Sequence, residues 1–233
     1  MSLILGVDTS SSALSIAIIE NGEPVVAITR YLKNSHAEHI SSAMNFLLES
    51  AKVKVSDITN VAITTGPGSF TGLRIGVSFV KGMFISQAVP ITAISSLEIM
   101  ANLPETKNSK IITAIDARQN RVFYAEFKCQ KNKVTQTVSS NVISNSEFEK
   151  LCQDTATVIT DNLGNSKCKT FDFLSDNIQH ISLKNSSSNR AIICAKIGYN
   201  RLDKNDSWQK PVDILPNYMQ VSYAEKMREK ASQ

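Results

Sequence analysis

The run from residue 66 to 76, Gly-Pro-Gly-Ser-Phe-Thr-Gly-Leu-Arg-Ile-Gly, constrains the fold of this chain more than any other feature. An apolar, β-branched stretch at 61–65 precedes it and predicts a buried strand, which Gly66 and Gly68 then end in a tight turn. Ser69 is placed to cap a following helix. The run therefore predicts a strand, a glycine loop and a helix start in immediate succession.

A loop of this kind directs backbone N–H groups and the positive end of a helix dipole at one point, which suits an anion such as phosphate. The same glycines also serve a tight connection that binds nothing, so residue chemistry alone leaves both interpretations open. The segment 8–10, Asp-Thr-Ser, would add a carboxylate and hydroxyls to such a site, or would form an ordinary turn. The candidate residues of a weak or vestigial nucleotide site are Asp8, Thr9, Ser10, Gly66, Gly68 and Ser69.

Gly72 and Gly76 lie four residues apart on one face of the predicted helix, and each costs about 1 kcal/mol of helix propensity relative to alanine. Because missing side chains let another backbone come close, we expect a helix to pack along Gly72, Gly76 and Val80, either within the fold or from a partner chain. The run is not a P-loop, since Leu73 and Arg74 follow Gly72 where Lys and Ser or Thr are required.

Composition narrows the class of protein. With 233 residues, 42% of them hydrophobic and 20% charged, the chain can form one sizeable core or two small lobes and is not disordered. A net charge of +4 permits contact with RNA without requiring it. The four cysteines form no C-x-x-C pair, so a metal ribbon and a redox motif are excluded and buried free thiols are expected. No signal peptide or membrane span is predicted, so we expect a cytoplasmic protein.

The predicted elements up to residue 103 follow the order βββαβα, which describes a mixed sheet with helices packed against it. They are strands at 3–7, 13–19, 24–29, 61–65 and 89–94, and helices at 36–52, at 70–87 and after Ser95. Asn21 and Gly22 both tolerate positive φ and predict a type I′ hairpin turn. Ser35 and Glu38 form a capping box at the start of the first helix.

A polar break at 104–110 predicts a first lobe at 1–103 and a second lobe at 104–233. In the second lobe, strands are predicted at 111–115 and 122–127, helices near 147–152 and 189–203, a loop with a helix cap at 185–189 and a frayed end at 225–233. Its opening hairpin is similar to that of the first lobe, but the similarity is too short to prove a duplication. Asp116 and Arg118 are predicted to be turn and surface residues.

His36 and His39 lie one turn apart, whereas a helical zinc pair normally takes i, i+4 spacing with a third ligand elsewhere. His36 aligns with Ile40 and Ala43 on the apolar face, so we predict a packed or interface histidine and no metal site. A metallopeptidase is therefore disfavoured. No Ser-His-Asp or Cys-His arrangement can be asserted, and no catalytic residue is predicted.

Several segments resemble the TsaB family of bacterial tRNA threonylcarbamoyladenosine modification subunits. They are 5–10, 35–38, 65–76, 95–98 and 115–118, with 215–219 similar to the closing Pro-x-Tyr-Leu segment of that family. The match is dense from residue 3 to about 127, and the 66–76 run is highly specific. The resemblance implies an α/β actin-like ATPase (ribonuclease H-like) fold of two lobes, each a mixed sheet with flanking helices, the second lobe being reduced.

By this resemblance the chain is a non-catalytic subunit that supports TsaD, which transfers threonylcarbamoyl to adenosine 37 of tRNAs reading codons that begin with A, together with the ATPase TsaE. The resemblance implies a heterodimer with TsaD through helices 36–52 and 70–87, a homodimer in its absence, and indirect or weak contact with tRNA. The implied interface residues are His36, Ile40, Met44, Leu47, Phe70, Gly72, Leu73, Arg74, Gly76, Val77 and Val80. No cofactor is expected to bind this chain firmly. The resemblance leaves open the binding of ATP or ADP with Mg²⁺ by the complex with TsaD and TsaE.

The chain departs from active members of the actin-like superfamily. The segment 8–10 has Asp-Thr-Ser where Asp-x-Gly is usual, 161–164 offers a single glycine, and His36 and His39 do not reproduce the His-x-x-x-His pair of TsaD. Direct ATP hydrolysis and peptidase activity are therefore not expected. The alternative that stays open is a small ATP-dependent phosphotransferase or ATPase of the sugar-kinase or actin-like class, using Asp8 and the glycine loop.

Overall fold

The structure is a computed structural model that describes residues 2–31, 36–87, 89–103, 110–131, 133–152, 157–163, 169–174, 179–182, 189–202 and 208–219. The strands are β1 (Leu3–Asp8), β2 (Ala13–Glu20), β3 (Glu23–Tyr31), β4 (Asn60–Gly66), β5 (Ile91–Ser95), β6 (Lys110–Arg118), β7 (Arg121–Gln130), β8 (Lys133–Ser144), β9 (Thr157–Asp161), β10 (Gln179–Ser182) and β11 (Trp208–Gln209). The α-helices are α1 (His36–Ala51), α2 (Phe70–Phe84), α3 (Ser96–Ala101), α4 (Asn145–Leu151) and α5 (Arg190–Tyr199), and a 3-10 turn covers Val55–Asp57. Features of the sequence that lie outside the described residues are Ser35, Gly164, Cys168, most of the 185–189 loop and the 225–233 tail.

The first sheet has the order β11-β5-β4-β1-β2-β3. Strands β1, β2 and β3 pair antiparallel, as the sequence predicts, while β4 and β5 run parallel to β1. The predicted hairpin turn is confirmed, since Asn21 and Gly22 have φ of +50° and +88°. Every residue of β1 and β4 is buried because helices cover both faces of the sheet.

The second sheet repeats the arrangement of the first. Its order, β10-β9-β6-β7-β8, corresponds to β5-β4-β1-β2-β3, with the same parallel and antiparallel pairings. Three of its strands, β8, β9 and β10, were not among the predicted elements. The repeated order places Asp116, near the end of β6, in the position that Asp8 has at the end of β1.

Helices and sheets alternate in layers, each layer closed by an apolar core. Helices α1 and α2 cover the outer face of the first sheet, where Leu5 and Val7 pack with Met44. Helices α3 and α5 lie between the sheets, and Ile4, on the opposite face of β1, belongs to the core that they share with the second sheet. Helix α4 covers the outer face of the second sheet through Phe148.

The end of the described chain returns to the first lobe, which alters the predicted division at residue 103. Trp208 of β11 pairs with Thr92 of β5, and Ile214 is buried in the core beneath α1 and α2. Helix α5 also packs on β1, β2 and β4. Residues before 104 supply the strands of the first sheet except β11, and the first lobe includes α5 and the 208–219 segment as well.

Helix α5 lies unusually close to β1 because small residues line their contact. A Cβ atom on Gly6 would be 2.1 Å from the carbonyl oxygen of Ala191, and one on Gly198 would be 2.7 Å from Cβ of Ala62. Both distances are too short for real atoms, so only glycine fits at these positions. This close approach brings the first residue of α5, Arg190, to the carboxyl end of β1.

Candidate functional site

Acidic side chains mark the carboxyl ends of three strands where the two sheets meet. Asp8 ends β1, Asp161 ends β9 and Asp116 lies two residues before the end of β6. All three side chains are buried. Ligands of open α/β sheets bind outside the carboxyl ends of strands, so this is where the fold would hold a nucleotide or a metal ion.

Arg190 occupies this place with its guanidinium group. Its Nε lies 2.5 Å from Oδ2 of Asp8, and its Nη1 lies 2.8 Å from Oδ2 of Asp161. A third nitrogen, Nη2, donates a hydrogen bond of 3.0 Å to Oγ of Ser10. The side chain joins β1, the loop after it and β9, and its exposed fraction is only 8%.

The remaining carboxylate oxygens of this ion triad, Asp8–Arg190–Asp161, are also paired. Oδ1 of Asp8 accepts a hydrogen bond of 2.9 Å from the N–H of Ser10, and Oδ1 of Asp161 accepts one of 2.7 Å from the N–H of Leu163. Burial alone would lower the pKa of the Arg190 guanidinium, but the two carboxylates outweigh burial and raise this pKa above its ordinary value. The triad is therefore a charged group in which Nη1 and Nη2 of Arg190 and Oδ1 of each carboxylate are hydrogen-bonded. Nε of Arg190 and Oδ2 of Asp8 are in ion-pair contact without a well-formed hydrogen bond.

The glycine loop closes on the segment that follows β1. The N–H of Ser69 donates a hydrogen bond of 2.7 Å to the carbonyl oxygen of Ser10, and Ser69 Oγ accepts one of 3.2 Å from the N–H of Gly72, which confirms the predicted cap. A Cβ on Gly68 would be 2.4 Å from the same carbonyl oxygen of Ser10. The six predicted nucleotide-site residues lie close together, and they contact one another and other segments of the same chain.

Gly66 is held from the other side by the end of the described chain. The N–H of Asn217 donates a hydrogen bond of 2.7 Å to the carbonyl oxygen of Thr65, and a Cβ on Gly66 would be 2.7 Å from the carbonyl oxygen of Asn217. Gly66 has φ of +125°, a value that glycine alone adopts readily. Asn217 thus covers Gly66, whereas Gly68 and Ser69 are half-buried.

Gly72 and Gly76 face Thr9, and the expectation that another helix explains them is wrong. A Cβ on Gly72 would be 2.1 Å from the carbonyl oxygen of Thr9, and one on Gly76 would be 2.3 Å from its Oγ1. Oγ1 of Thr9 donates a hydrogen bond of 2.8 Å to the carbonyl oxygen of Gly72. These glycines let the segment after β1 lie against α2 inside one chain.

Burial also corrects the predicted interface residues. Nine of the eleven, four on α1 and five on α2, are buried in the folded chain, and only Phe70 and Arg74 are exposed. The buried ones are His36, Ile40, Met44, Leu47, Gly72, Leu73, Gly76, Val77 and Val80. They face the core because the apolar stripe of each helix packs on the first sheet. A partner of the folded chain would meet the opposite, outer faces of these helices.

Phe70 and Arg74 are in contact with the last described segment. Nε of Arg74 donates a hydrogen bond of 2.9 Å to the hydroxyl oxygen of Tyr218. The guanidinium carbon of Arg74 lies 3.9 Å from the centre of the Phe70 ring, and the Phe70 and Tyr218 rings are 4.6 Å apart. These contacts fasten the 208–219 segment to the start of α2.

His36 is packed, as predicted. Its ring is buried, and Nε2 lies 3.0 Å from the carbonyl oxygen of Ser11. Within the part of the chain that the structure describes, no three His, Cys, Asp or Glu side chains converge to hold a metal ion.

Asp116 is buried in strand β6, two residues before its end, so its prediction as a turn and surface residue is wrong. Only 8% of it is exposed. Its Oδ1 accepts hydrogen bonds of 3.0 Å from the N–H of Arg118 and 3.2 Å from Oγ1 of Thr170. Arg118 itself is exposed, as predicted.

Arg190 and its pairing with Asp161 were not predicted, although the sequence contains one signal. A cation in the first turn of a helix opposes the helix dipole, and Arg190 stands there in front of the apolar residues 191–195. An arginine at such a position needs carboxylates from elsewhere in the fold. Their identity depends on contacts that span 180 residues, as between Ser10 and Arg190.

The protein has two sheets of matching strand order, each with helices on both faces, and acidic residues lie where the strand ends meet. These features define a two-lobed α/β protein of the actin-like ATPase class. A family model described as TsaD, tRNA N6-adenosine threonylcarbamoyltransferase, matches residues 30–210. A solved structure described as YeaZ from Pseudomonas aeruginosa has the same fold, with a TM-score of 0.77 and 23% identity over 94% of this chain and 100% of that chain.

Two curated relatives bear the name tRNA threonylcarbamoyladenosine biosynthesis protein TsaB. The protein of Bacillus subtilis (strain 168) is 32% identical over 135 residues, which are 58% of this chain and 59% of that protein. The protein of Escherichia coli (strain K12) is 30% identical over 164 residues, which are 67% of this chain and 71% of that protein. The matched region thus spans between 59% and 71% of the length of these relatives. The chain belongs to the TsaB family. None of the helices in its described part is long and apolar enough to cross a bilayer.

Proposed function

We propose that this chain is a non-catalytic partner subunit in the formation of N6-threonylcarbamoyladenosine in tRNA, and that it acts by binding and positioning a TsaD-type threonylcarbamoyltransferase. Two of its relatives are named for the biosynthesis of this nucleoside, and the matching family model is described as the transferase. The partner subunit, and not this chain, would then carry the reacting groups.

The closed strand-end site is the observation that carries this proposal. A nucleotide with Mg²⁺ at Asp8 would have to displace the Arg190 guanidinium, which is paired with two buried carboxylates. A phosphate at the glycine loop would have to displace the carbonyl oxygen of Ser10 from the N–H of Ser69. Both exchanges would leave buried polar groups without partners, which is costly. We infer that no cofactor binds firmly here and that ATP or ADP with Mg²⁺ acts at the level of the complex.

The outer faces of α1 and α2 supply a surface for the partner. Phe46 on α1 is 56% exposed, far more than is usual for a phenylalanine of a folded domain. Ile75, Phe79 and Met83, which follow one another at four-residue spacing on α2, are partly exposed. Charged residues are few here, and Glu38 and Glu49 lie towards the ends of α1. The exposed residues between them are small and polar except for Phe46, so Phe46 is the apolar anchor that this surface offers on α1.

Further components follow from the same proposal. TsaE would join the complex, and two copies of this chain would pair through the outer faces of α1 and α2 when the transferase is absent. Contact with tRNA would be indirect or weak, since a net charge of +4 is modest for a protein that binds nucleic acid. Modification of tRNA would place the protein in the cytoplasm.

The test is association with the TsaD protein of the same organism, measured by size-exclusion chromatography with light scattering and by calorimetry. The wild type should form a discrete hetero-complex. Phe46→Glu should weaken it by at least about 30-fold, because a buried charge at the centre of an interface costs roughly 2 kcal/mol or more. Val25→Glu, at an exposed apolar residue of β3, is the matched control and should bind as the wild type does.

Equal binding by Phe46→Glu and the wild type would contradict the assignment of the outer faces. The absence of any complex, with metal-dependent ATP turnover by this chain alone, would favour the small phosphotransferase or ATPase instead.

A further inference from the structure

The two lobes are joined by an apolar core and, separately, by a buried charged group. The core between the sheets combines Ile4 of β1 with Leu97 of α3 and Ile111 and Ile159 of the second sheet. Ile4 lies four residues before Asp8 on β1, so the two residues are roughly 13 Å apart along the strand. The ion triad Asp8–Arg190–Asp161 lies at the opposite end of β1, where the lobes present their strand ends to each other.

Each member of the triad belongs to a different part of the fold. Asp8 ends β1 of the first sheet, Asp161 ends β9 of the second sheet, and Arg190 starts the helix that lies between the sheets. The backbone of α5 is seated on Gly6, so Arg190 cannot move without the first sheet. Any rotation that separates the strand ends of the two lobes must therefore break at least one arm of the triad.

Charge and direction distinguish this connection from the apolar core. Apolar contacts are non-directional and tolerate small rotations of one layer on another, whereas a guanidinium group binds carboxylates in fixed directions within its plane. Nε and Nη1 of Arg190 point to different carboxylates, and Nη2 is held by Ser10. Asp8, Ser10 and α5 belong to the first lobe, so the pair of Arg190 and Asp161 is the arm of the triad that crosses to the second sheet. The hydrogen bond of Nη2 to Ser10 helps to fix its direction.

We propose that Arg190 is a permanent internal latch, which holds the two lobes in one relative orientation without any bound ligand. Two-lobed proteins commonly close around a ligand that bridges their lobes and open when it leaves. In this chain the bridging cation is covalently part of α5, so the strand ends stay together at all times. The latch rests on distances within the chain and does not depend on the partner proposed above.

The distance between the lobes provides the test. Fluorescent labels introduced as unnatural amino acids at Ser50 of α1 and Glu149 of α4, both exposed, report it by single-molecule energy transfer. The wild type should show one narrow distribution that does not shift when ATP and Mg²⁺ are added. Arg190→Met should broaden the distribution, and hydrogen exchange of the N–H groups of Ser10 and Leu163, which bind the triad carboxylates, should accelerate by about tenfold or more.

Two further variants separate the latch from folding. The triple variant Asp8→Asn, Arg190→Met, Asp161→Asn removes all three charges together, so that no charge is left buried without a partner, and it should remain folded with the broad distribution. Arg201→Met breaks the more exposed ion pair between Arg201 and Glu98 and should keep the narrow one.

A narrow distribution in Arg190→Met or in the triple variant would overturn the proposal, because the apolar core alone would then fix the lobes. A shift of the wild-type distribution on addition of ATP and Mg²⁺ would also overturn it. If Arg190→Met does not fold, the triple variant decides the question.

Discussion

Replacement of Gly72 by alanine tests the contact between α2 and the segment after β1. The new Cβ would be 2.1 Å from the carbonyl oxygen of Thr9, and atoms under 3.0 Å apart in such a contact must move. Because the obstacle is backbone, overpacking should cost about 1–3 kcal/mol. Displacement of Thr9 also weakens its 2.8 Å hydrogen bond to Gly72, for about 1 kcal/mol more. Helix propensity returns about 1 kcal/mol.

The net change is a loss of about 1–3 kcal/mol in the free energy of unfolding, or a fall in Tm of about 2–12 °C for a chain of this size. Thermal and urea unfolding followed by circular dichroism measure it. Gly82→Ala is the matched control in the same helix, since nothing lies within 4 Å of its added Cβ. It should raise Tm by up to about 4 °C through helix propensity alone.

The reasoning is refuted if Gly72→Ala is as stable as the wild type. If, in addition, it lost association with a partner, the glycines would belong to an intermolecular contact, as the sequence first allowed. If Gly72→Ala is destabilised and Gly82→Ala is as stable as the wild type, the contact between Gly72 and Thr9 is supported. Only the assumed gain in helix propensity from glycine to alanine would then be too large.

Three other outcomes follow from the structure. Burial raises the pKa of the Cys152 thiol to about 12 and that of the Cys194 thiol further. Above about pH 9 only the unfolded state loses these protons, so the free energy of unfolding should fall with rising pH, and in Cys194→Ala it should fall less steeply by up to about 1.4 kcal/mol per pH unit. Urea unfolding at several pH values measures this, and an equal slope in Cys194→Ala and the wild type would contradict it. Ser144→Ala removes the cap of α4 and should cost about 1 kcal/mol in the same assay, whereas no loss would mean that the cap is dispensable. Tyr218→Phe, which removes the hydroxyl bound by Arg74, should accelerate hydrogen exchange of the Asn217 N–H, and unchanged exchange would show that the rings alone hold the segment.

Local signals predicted the first half of the fold well. The turn at Asn21 and Gly22, the cap at Ser69 and the helix that follows Ser95 depend on neighbours within a few residues, and all three are as predicted. Helix α1 ends within one residue of its predicted end. Short-range backbone preferences and apolar periodicity suffice for such features.

The second sheet shows where local signals are insufficient. Strand β8 is an edge strand whose residues are mostly polar and exposed or half-buried, so it lacks the apolar alternation of a strand with one buried face. Strand β9 has five buried residues, but a run this short has too little apolar periodicity to distinguish a strand from a buried helix segment. Pairing with β6 decides its conformation, and pairing partners are not visible in a single sequence.

The candidate site was predicted in part for the same reason. The sequence indicated Asp8 and the glycine loop, since both stand at ends of recognisable strands. It did not indicate that Arg190 lies between Asp8 and Asp161, because these contacts join residues that are far apart along the chain. The roles of Gly72 and Gly76 were misassigned because a glycine in a helix indicates a close neighbour but does not identify it.

The return of α5 to β1 has a consequence for synthesis of the protein on the ribosome. The inner face of the first sheet, with Gly6 and Ala62, is covered by a helix that is translated long after both strands. The 180 residues between Ser10 and Arg190 take about 9–36 s to make at roughly 5–20 residues per second. During that interval the inner face of the nascent first sheet lacks the helix that packs on it in the folded protein. The last fifth of the polypeptide completes the part of the molecule that was begun first.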